Sequence, residues 1–257
     1  MRKGISWRIQ WTELDQTLGL HEFQVIEFLM PDQSHLDVYV KAVDLYNEKD
    51  IYWHNTLFCL GDHPEYVAAK MESLKDVLVR LKIRRFSAHW GTRVTSKGIF
   101  PNMLPIIPGS REDNYARQNL ALLAKTYGLE VIPENISVNL RKSDTIKAYY
   151  EGWSRVAIEH NLKLLLDLTN MKISSLASHT DFGSLFMLIK PEDVEYIHIA
   201  GVGRLGTYYV DSHEGFPLEK DILAEAQRFS GPVVFEIDTH LADHEKCLSL
   251  IERFKQL

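Results

Sequence analysis

Eight short runs dense in Val, Ile, Leu, Phe and Tyr recur along the chain, separated by segments of helical period, and this recurrence constrains the fold more than any other feature. The runs are GISWRI (4–9), FQVIEFL (23–29), DIYWHNTLF (50–58), RRFSAHW (84–90), LEVIPEN (129–135), KLLLDLTN (163–170), VEYIHIAG (194–201) and PVVFEID (232–238). Amphipathic stretches lie between and after them, at 64–82, 114–128, 143–161 and 240–257. Apolar strands alternating with helices predict βα units around a parallel sheet. Eight such units predict a single (β/α)8 TIM barrel over residues 1–257, for which 257 residues is an ordinary length, rather than an open doubly wound sheet. The first helix, near residues 12–20, is short. The segment 91–113, GTRVTSKGIFPNMLPIIPGSRED, has no clear period and carries several Pro and Gly, so it reads as a long loop of functional or mobile character after the fourth strand.

Composition narrows the class. With 45% hydrophobic and 25% charged residues the chain has a globular balance, and no apolar run reaches the roughly 18 residues of a membrane span. The start, MRKGISWRIQW, passes directly into a strand-like alternation, which is not the pattern of a secretory signal, so a cytoplasmic location is expected. Cys59 and Cys247 are too few and too far apart for a disulfide framework or a Cys-x-x-Cys metal site. A formal charge of -6 gives no global attraction for phosphate backbones and argues against nucleic acid as the partner.

Polar, metal-capable side chains fall at the C-terminal ends of the apolar runs, the end at which a barrel builds its active site. They are His54, His89, Glu134, Asp167 with Asn170, His198 and Glu236, and Asp211 and His213 follow in the loop after the seventh run. Singly, each has an ordinary explanation as a helix cap or a hydrogen-bonded packing residue. Together they converge on one axis, and several carboxylates buried side by side are costly unless cations neutralise them. A donor set of His, Asp, Glu and Asn without thiolate suits Mn, Fe or Zn and disfavours a structural zinc site. GVGRLG (201–206) matches a dinucleotide fingerprint but leads into β-branched and aromatic residues instead of a helix, so it reads as a flexible loop.

Seven segments in order resemble one family. They are IYWHNTLFCLG, FSAHWG, PENIS, DLTNMKISSLASH, EYIHIAG, VDSHEGFP and VFEID. They are similar to segments of the multinuclear non-haem iron barrels typified by the methanobactin-biosynthesis oxidase subunit and its cysteine-modifying relatives, within the xylose isomerase-like superfamily. The resemblance implies an O2-using oxidoreductase that holds two or three Fe ions and acts on a cysteine in a precursor peptide or on a small thiol, with a second protein delivering the peptide. It also implies a ligand division: one ion on His54, His89 and Glu134, a second sharing Glu134 and taking Asp167, His198 and Glu236, a third on Asn170, Asp211 and His213. Glu27, Arg8 and His179 are candidates to orient those ligands. The chain departs from the family's segments at Phe58, Cys59, Trp90 and Gly91, and these changes are expected to border the pocket. Two other functions of the superfamily use overlapping residues and stay open, with Zn or Mn in place of Fe. A sugar isomerase or epimerase needs only Glu134, Asp167, His198 and Glu236, and an apurinic-site endonuclease needs a basic rim, for which Arg93, Lys97, Arg111, Arg117, Arg141 and Lys142 are available.

Overall fold

The computed structural model describes residues 1–11, 18–211, 213, 220–237 and 243–256. Eight parallel strands close into a barrel: β1 (Lys3–Trp7), β2 (Val25–Leu29), β3 (Asp50–Asn55), β4 (Arg85–His89), β7 (Glu130–Glu134), β8 (Leu164–Asp167), β9 (Val194–Ile199) and β12 (Val233–Phe235). The remaining strands form two small antiparallel hairpins, β5 (Gly91–Thr95) with β6 (Gly98–Pro105) and β10 (Val202–Leu205) with β11 (Tyr208–Asp211). Around the barrel the order is β1-β12-β9-β8-β7-β4-β3-β2, closed by β1 against β2, so each barrel strand neighbours the next one in the chain.

All eight expected runs carry a barrel strand, and the differences lie at their ends. The third run stops at Asn55 because its side chain turns the backbone: Asn55 Nδ2 donates to Phe58 O at 2.9 Å and Leu57 N donates to Asn55 Oδ1 at 3.1 Å. In the sixth, residues 168–170 open the helix Leu168–Ser178 instead of extending the strand, because the Asp167 carboxylate caps that helix by accepting from Asn170 N at 2.7 Å. The last run is a strand over Val233–Phe235 only.

Both expected loops are instead hairpins. Residues 91–105 fold back on themselves as β5 and β6, and the helix Arg111–Tyr127 then begins under a Ser110 cap. GVGRLG, expected as a flexible loop, supplies β10 and the turn of the second hairpin, with Gly206 at φ 61 in a region that favours glycine. No helix follows it directly, in keeping with the rejected dinucleotide motif. The expected short first helix falls largely on residues 12–17, outside the described residues.

The period of two within a strand builds the site. Val25, Tyr52, Ile132, Leu165, Tyr196 and Val234 pack together inside the barrel as its apolar floor. Two residues further along each of these strands, on the same inward face, stand Glu27, His54, Glu134, Asp167, His198 and Glu236. Gly4 completes the floor, since a Cβ there would lie 2.9 Å from both Val234 Cγ2 and Val25 Cβ. The alternate residues point outward and are buried under the helices. Phe28, for example, packs against Trp7, Tyr39 and Trp53 with ring centroids 5.1, 6.0 and 5.3 Å away.

Candidate metal centre

Strand register brings the polar side chains together at the C-terminal end of the barrel. His89 is paired with Glu134 and Asp167 with His198, while His198 is level with Val234, two residues before Glu236. The layer is buried: Glu134 is 2% exposed, Asp167 1%, His198 0% and Glu236 5%. Above it opens a cavity of about 630 Å³. Its walls include Asn102 to Pro105 of the β5/β6 hairpin, Ser137 to Leu140 after β7, and Val210 and Asp211 of β11.

Three groups of side chains bring ligand atoms within 4.8 Å of one another: His54, His89 and Glu134; Glu134, Asp167, His198 and Glu236; and Asp211, His213 and Glu236. In the first, Glu134 Oε2 lies 3.6 Å from His54 Nε2 and 3.5 Å from His89 Nε2. Two ligands of a cation bound at about 2.1 Å stand about 3.0–3.4 Å apart, so these separations suit one ion with little movement. In the second, His198 Nδ1 is 3.1 Å from Glu134 Oε1 and 3.0 Å from Glu236 Oε2. In the third, His213 Nε2 is 2.7 Å from Asp211 Oδ2. His213 sits at φ 49, a left-handed conformation uncommon for a residue with a Cβ.

Eight of the nine expected ligands line this cavity and His198 lies buried among them, with one addition to the third group. Glu236 joins Asp211 and His213. Asn170 lines the same cavity, and its amide nitrogen donates to Asp167 Oδ2 at 2.9 Å and to Asn135 O at 3.3 Å. Glu134 and Glu236 are therefore each common to two groups.

The electrostatics follow from burial. Desolvation, with the carboxylates of Asp211, Glu134 and Glu236 nearby, pushes the Asp167 carboxyl well above the usual range. Desolvation also raises Glu236, but the charges on His198 and His213 outweigh it and hold that carboxyl well below its usual range. Glu134 is likewise held low by His54, His89 and His198 against its own desolvation. Burial disfavours a charged His198, yet Glu236, Glu27 and Glu134 surround the ring and raise it well above an ordinary histidine. His89, where desolvation prevails, is pushed down to about 4. Protons thus stand in for positive charge among crowded carboxylates.

At the centre of the first group a carboxylate oxygen lacks a hydrogen-bond partner. Glu134 Oε2 is buried and accepts no hydrogen bond, although it faces two imidazole nitrogens. A buried, unsatisfied carboxylate oxygen among His, Asp and Glu donors fits a divalent cation, which would satisfy it directly.

Of the residues expected to orient ligands, Glu27 accepts from His198 Nε2 at 2.8 Å, and Arg8 Nη2 reaches within 4.0 Å of Glu236 Oε1. His179 is exposed at the C-terminus of the helix Leu168–Ser178 and does not line the cavity. Phe58, Cys59, Trp90 and Gly91 are buried and likewise do not line it, contrary to expectation. They pack behind the wall, where Trp90 O accepts from the Tyr149 hydroxyl at 3.0 Å and burial pushes the Cys59 thiol up to about 12. Sequence reasoning missed Asn135, which locks the end of β8 by accepting from Asp167 N at 2.8 Å and donating to Asp167 O at 2.9 Å. It also missed Asp62, whose buried carboxylate accepts from Arg93 N at 2.6 Å, Val94 N at 2.8 Å and Cys59 N at 2.8 Å and so anchors the β5/β6 hairpin. Asn135 lies within PENIS and Asp62 in no motif, and the role of each is visible only through its backbone partners.

A family model described as RiPP precursor modification enzyme MbnB/TglH/ChrH matches residues 3–257. The chain belongs to this family. Its enzymes modify peptide precursors, so the chain is placed among peptide-modifying enzymes. No curated protein matches the sequence. Solved structures similar to the whole chain share the xylose isomerase-like barrel. A putative xylose isomerase from Rhodospirillum rubrum superposes with a TM-score of 0.66 at 15% identity, covering 99% of this chain and 97% of that one. A D-tagatose 3-epimerase-like protein gives 0.61 at 14% identity over 100% and 97% of the two chains. Endonuclease IV from Thermus thermophilus gives 0.59 at 15% identity over 100% and 99%. At such identities the likeness concerns the fold alone. Among the described residues, no helix is long and apolar enough to cross a membrane.

Proposed function

We propose that this family member is an iron-dependent, O2-consuming enzyme that oxidises a cysteine within a peptide substrate, and that its three ligand groups hold two or three iron ions. The observation that carries the metal reading is the orphaned Glu134 Oε2 between His54 Nε2 and His89 Nε2. His54, His89 and Glu134 would hold one ion, Glu134, Asp167, His198 and Glu236 a second, and Asp211, His213 and Glu236 a third, with Asn170 beside the last two. Iron bound there supplies redox chemistry that no side chain of this chain supplies.

The protein's own part is to bind and orient. Its cavity of about 630 Å³ takes a side chain with adjoining backbone, and Met103, Leu104, Ile136 and Val138 give it apolar walls. A second cavity of about 410 Å³ shares Leu104 and Pro105 with the first and adds Phe100, Lys97 and Arg111. An extended peptide therefore has a continuous surface to lie on beyond the residue that enters the barrel. A protein that delivers the peptide is part of the same proposal.

The donor set weighs against the epimerase reading: that reading uses only the buried quartet, leaving His54, His89, Asp211 and His213 unexplained. The test is to incubate the iron-loaded protein with cysteine-containing peptides with and without O2 and to follow peptide mass and O2 uptake. An O2-dependent mass change at cysteine is expected. Metal-dependent ketose epimerisation or abasic-DNA cleavage without any change in the peptides would refute the proposal.

A further inference from the structure

Beneath the ligand groups, five side chains form an unbroken series of hydrogen bonds that joins imidazoles of two different groups. His54 Nδ1 lies 2.7 Å from Ser87 Oγ, and Ser87 Oγ lies 2.8 Å from the Tyr196 hydroxyl. That hydroxyl lies 2.8 Å from Glu27 Oε2, which is 2.8 Å from His198 Nε2. Glu27, Ser87, Tyr196 and His198 have no exposure and His54 has 3%, so bulk water cannot replace a missing member.

Counting protons gives the series a direction. A carboxylate only accepts, so the one Tyr196 hydroxyl proton goes to Glu27 and its oxygen accepts from Ser87. Ser87, having donated to Tyr196, accepts from His54 Nδ1–H; its alternative acceptor, Trp53 O, is more distant at 3.3 Å. The Nδ1–H tautomer leaves His54 Nε2 with a lone pair aimed at the cavity, where Glu134 Oε2 stands 3.6 Å away. At the other end Glu27 takes His198 Nε2–H, which turns Nδ1 toward Glu134 Oε1 and Glu236 Oε2. The two histidines therefore present opposite ring nitrogens, and Tyr196 stands at the middle of the series that dictates both.

We propose that Tyr196 is a positioning residue: through one hydroxyl it fixes tautomer and ring orientation in the His54 group and the His198 group together, coupling the two metal sites from below. This rests on the metal-centre reading above. A space-filling role is separable, because the Tyr196 ring packs in the apolar floor against Tyr52, with ring centroids 4.5 Å apart, and phenylalanine preserves that contact.

The test is titration of the metal-stripped full-length protein with Co(II), whose visible bands report each site's coordination, alongside thermal unfolding of the metal-free forms. Outer partners of ligating histidines typically set metal affinity by about 10–100-fold. Tyr196→Phe is expected to weaken two Co(II) binding phases by about that factor, with metal-free unfolding close to wild type. Ser87→Ala should weaken only the phase containing His54, and adding Tyr196→Phe should weaken that phase no further. A Tyr196→Phe isotherm indistinguishable from wild type, or a loss confined to one phase, overturns this proposal alone. If Tyr196→Phe fails to fold, Ser87→Ala and Glu27→Gln carry the test, each expected to weaken a different phase; equal losses in all phases from Ser87→Ala overturn it. Wild-type protein that takes up no Co(II) overturns the metal-centre reading and this proposal with it.

Discussion

Replacing Glu134 with Gln should remove two ions at once, whereas most single ligand changes should remove one. Glu134 Oε2 faces His54 Nε2 and His89 Nε2 at 3.6 and 3.5 Å, and Oε1 faces His198 Nδ1 at 3.1 Å, so the residue is common to two groups. Glutamine keeps the volume but loses the charge and turns one of these positions into an N–H donor, which repels a cation. An ion present at about 100 times its dissociation constant stabilises the fold by about 2.7 kcal/mol. Unfolding entropy of about 2.1 cal/mol/K per residue amounts, for 257 residues, to about 0.54 kcal/mol/K, so each ion raises the Tm by about 5 °C. The assay compares metal-loaded and chelated samples of each variant, so that effects on the metal-free fold cancel, and measures ions per chain in parallel. Glu134→Gln should lose about 10 °C of the metal-dependent rise and two ions. Asp211→Ala, in the third group only, should lose about 5 °C and one ion. Equal losses from the two variants, or full retention by Glu134→Gln, would refute the shared-ligand geometry.

Three further outcomes follow from the same geometry. The metal-free protein should become less stable as pH falls from about 6.5 toward 4, because His89 protonates near 4 when folded but near 6.5 when unfolded, so the unfolded chain gains its proton first. That difference amounts to at most about 3 kcal/mol, and His89→Gln should flatten the acid limb of the metal-free stability curve; an unchanged limb would contradict it. Asp62→Ala should leave Cys59 N, Arg93 N and Val94 N without their acceptor, destabilising the protein by about 3 kcal/mol and speeding tryptic cleavage at Lys97; unchanged cleavage would show that Asp62 does not anchor the hairpin. Gly61→Ala should act on the same hairpin, since its Cβ would lie 2.9 Å from Gly91 O, and should raise the KM for peptide; an unaltered KM would mean that this hairpin does not contact the substrate.

Much of this was legible in the sequence for a definite reason. Strands buried on both faces leave continuous apolar runs, and a polar residue interrupting the end of such a run is conspicuous, as in KLLLD or EYIHI. The hairpins were not legible. Residues 98–105 carry two prolines and are mostly exposed, so they show neither burial periodicity nor alternation. The sharing of Glu236 with Asp211 and His213 depends on where the chain returns after β11, which spacing does not specify. Tyr196 was hidden because it resembles an ordinary strand residue, and Ser87, although inside FSAHWG, had no role assigned to it. Their position two residues before His89 and His198 was the available signal, since the period of two places them inside the barrel directly beneath the ligands.

On the proposed reading, the mouth of the barrel holds a cluster of iron. Metal analysis of protein purified without oxygen tests it most directly. Two or three irons per chain, with an optical spectrum that changes on exposure to air, are expected. A single ion per chain, or stoichiometric zinc with a spectrum indifferent to air, would contradict it.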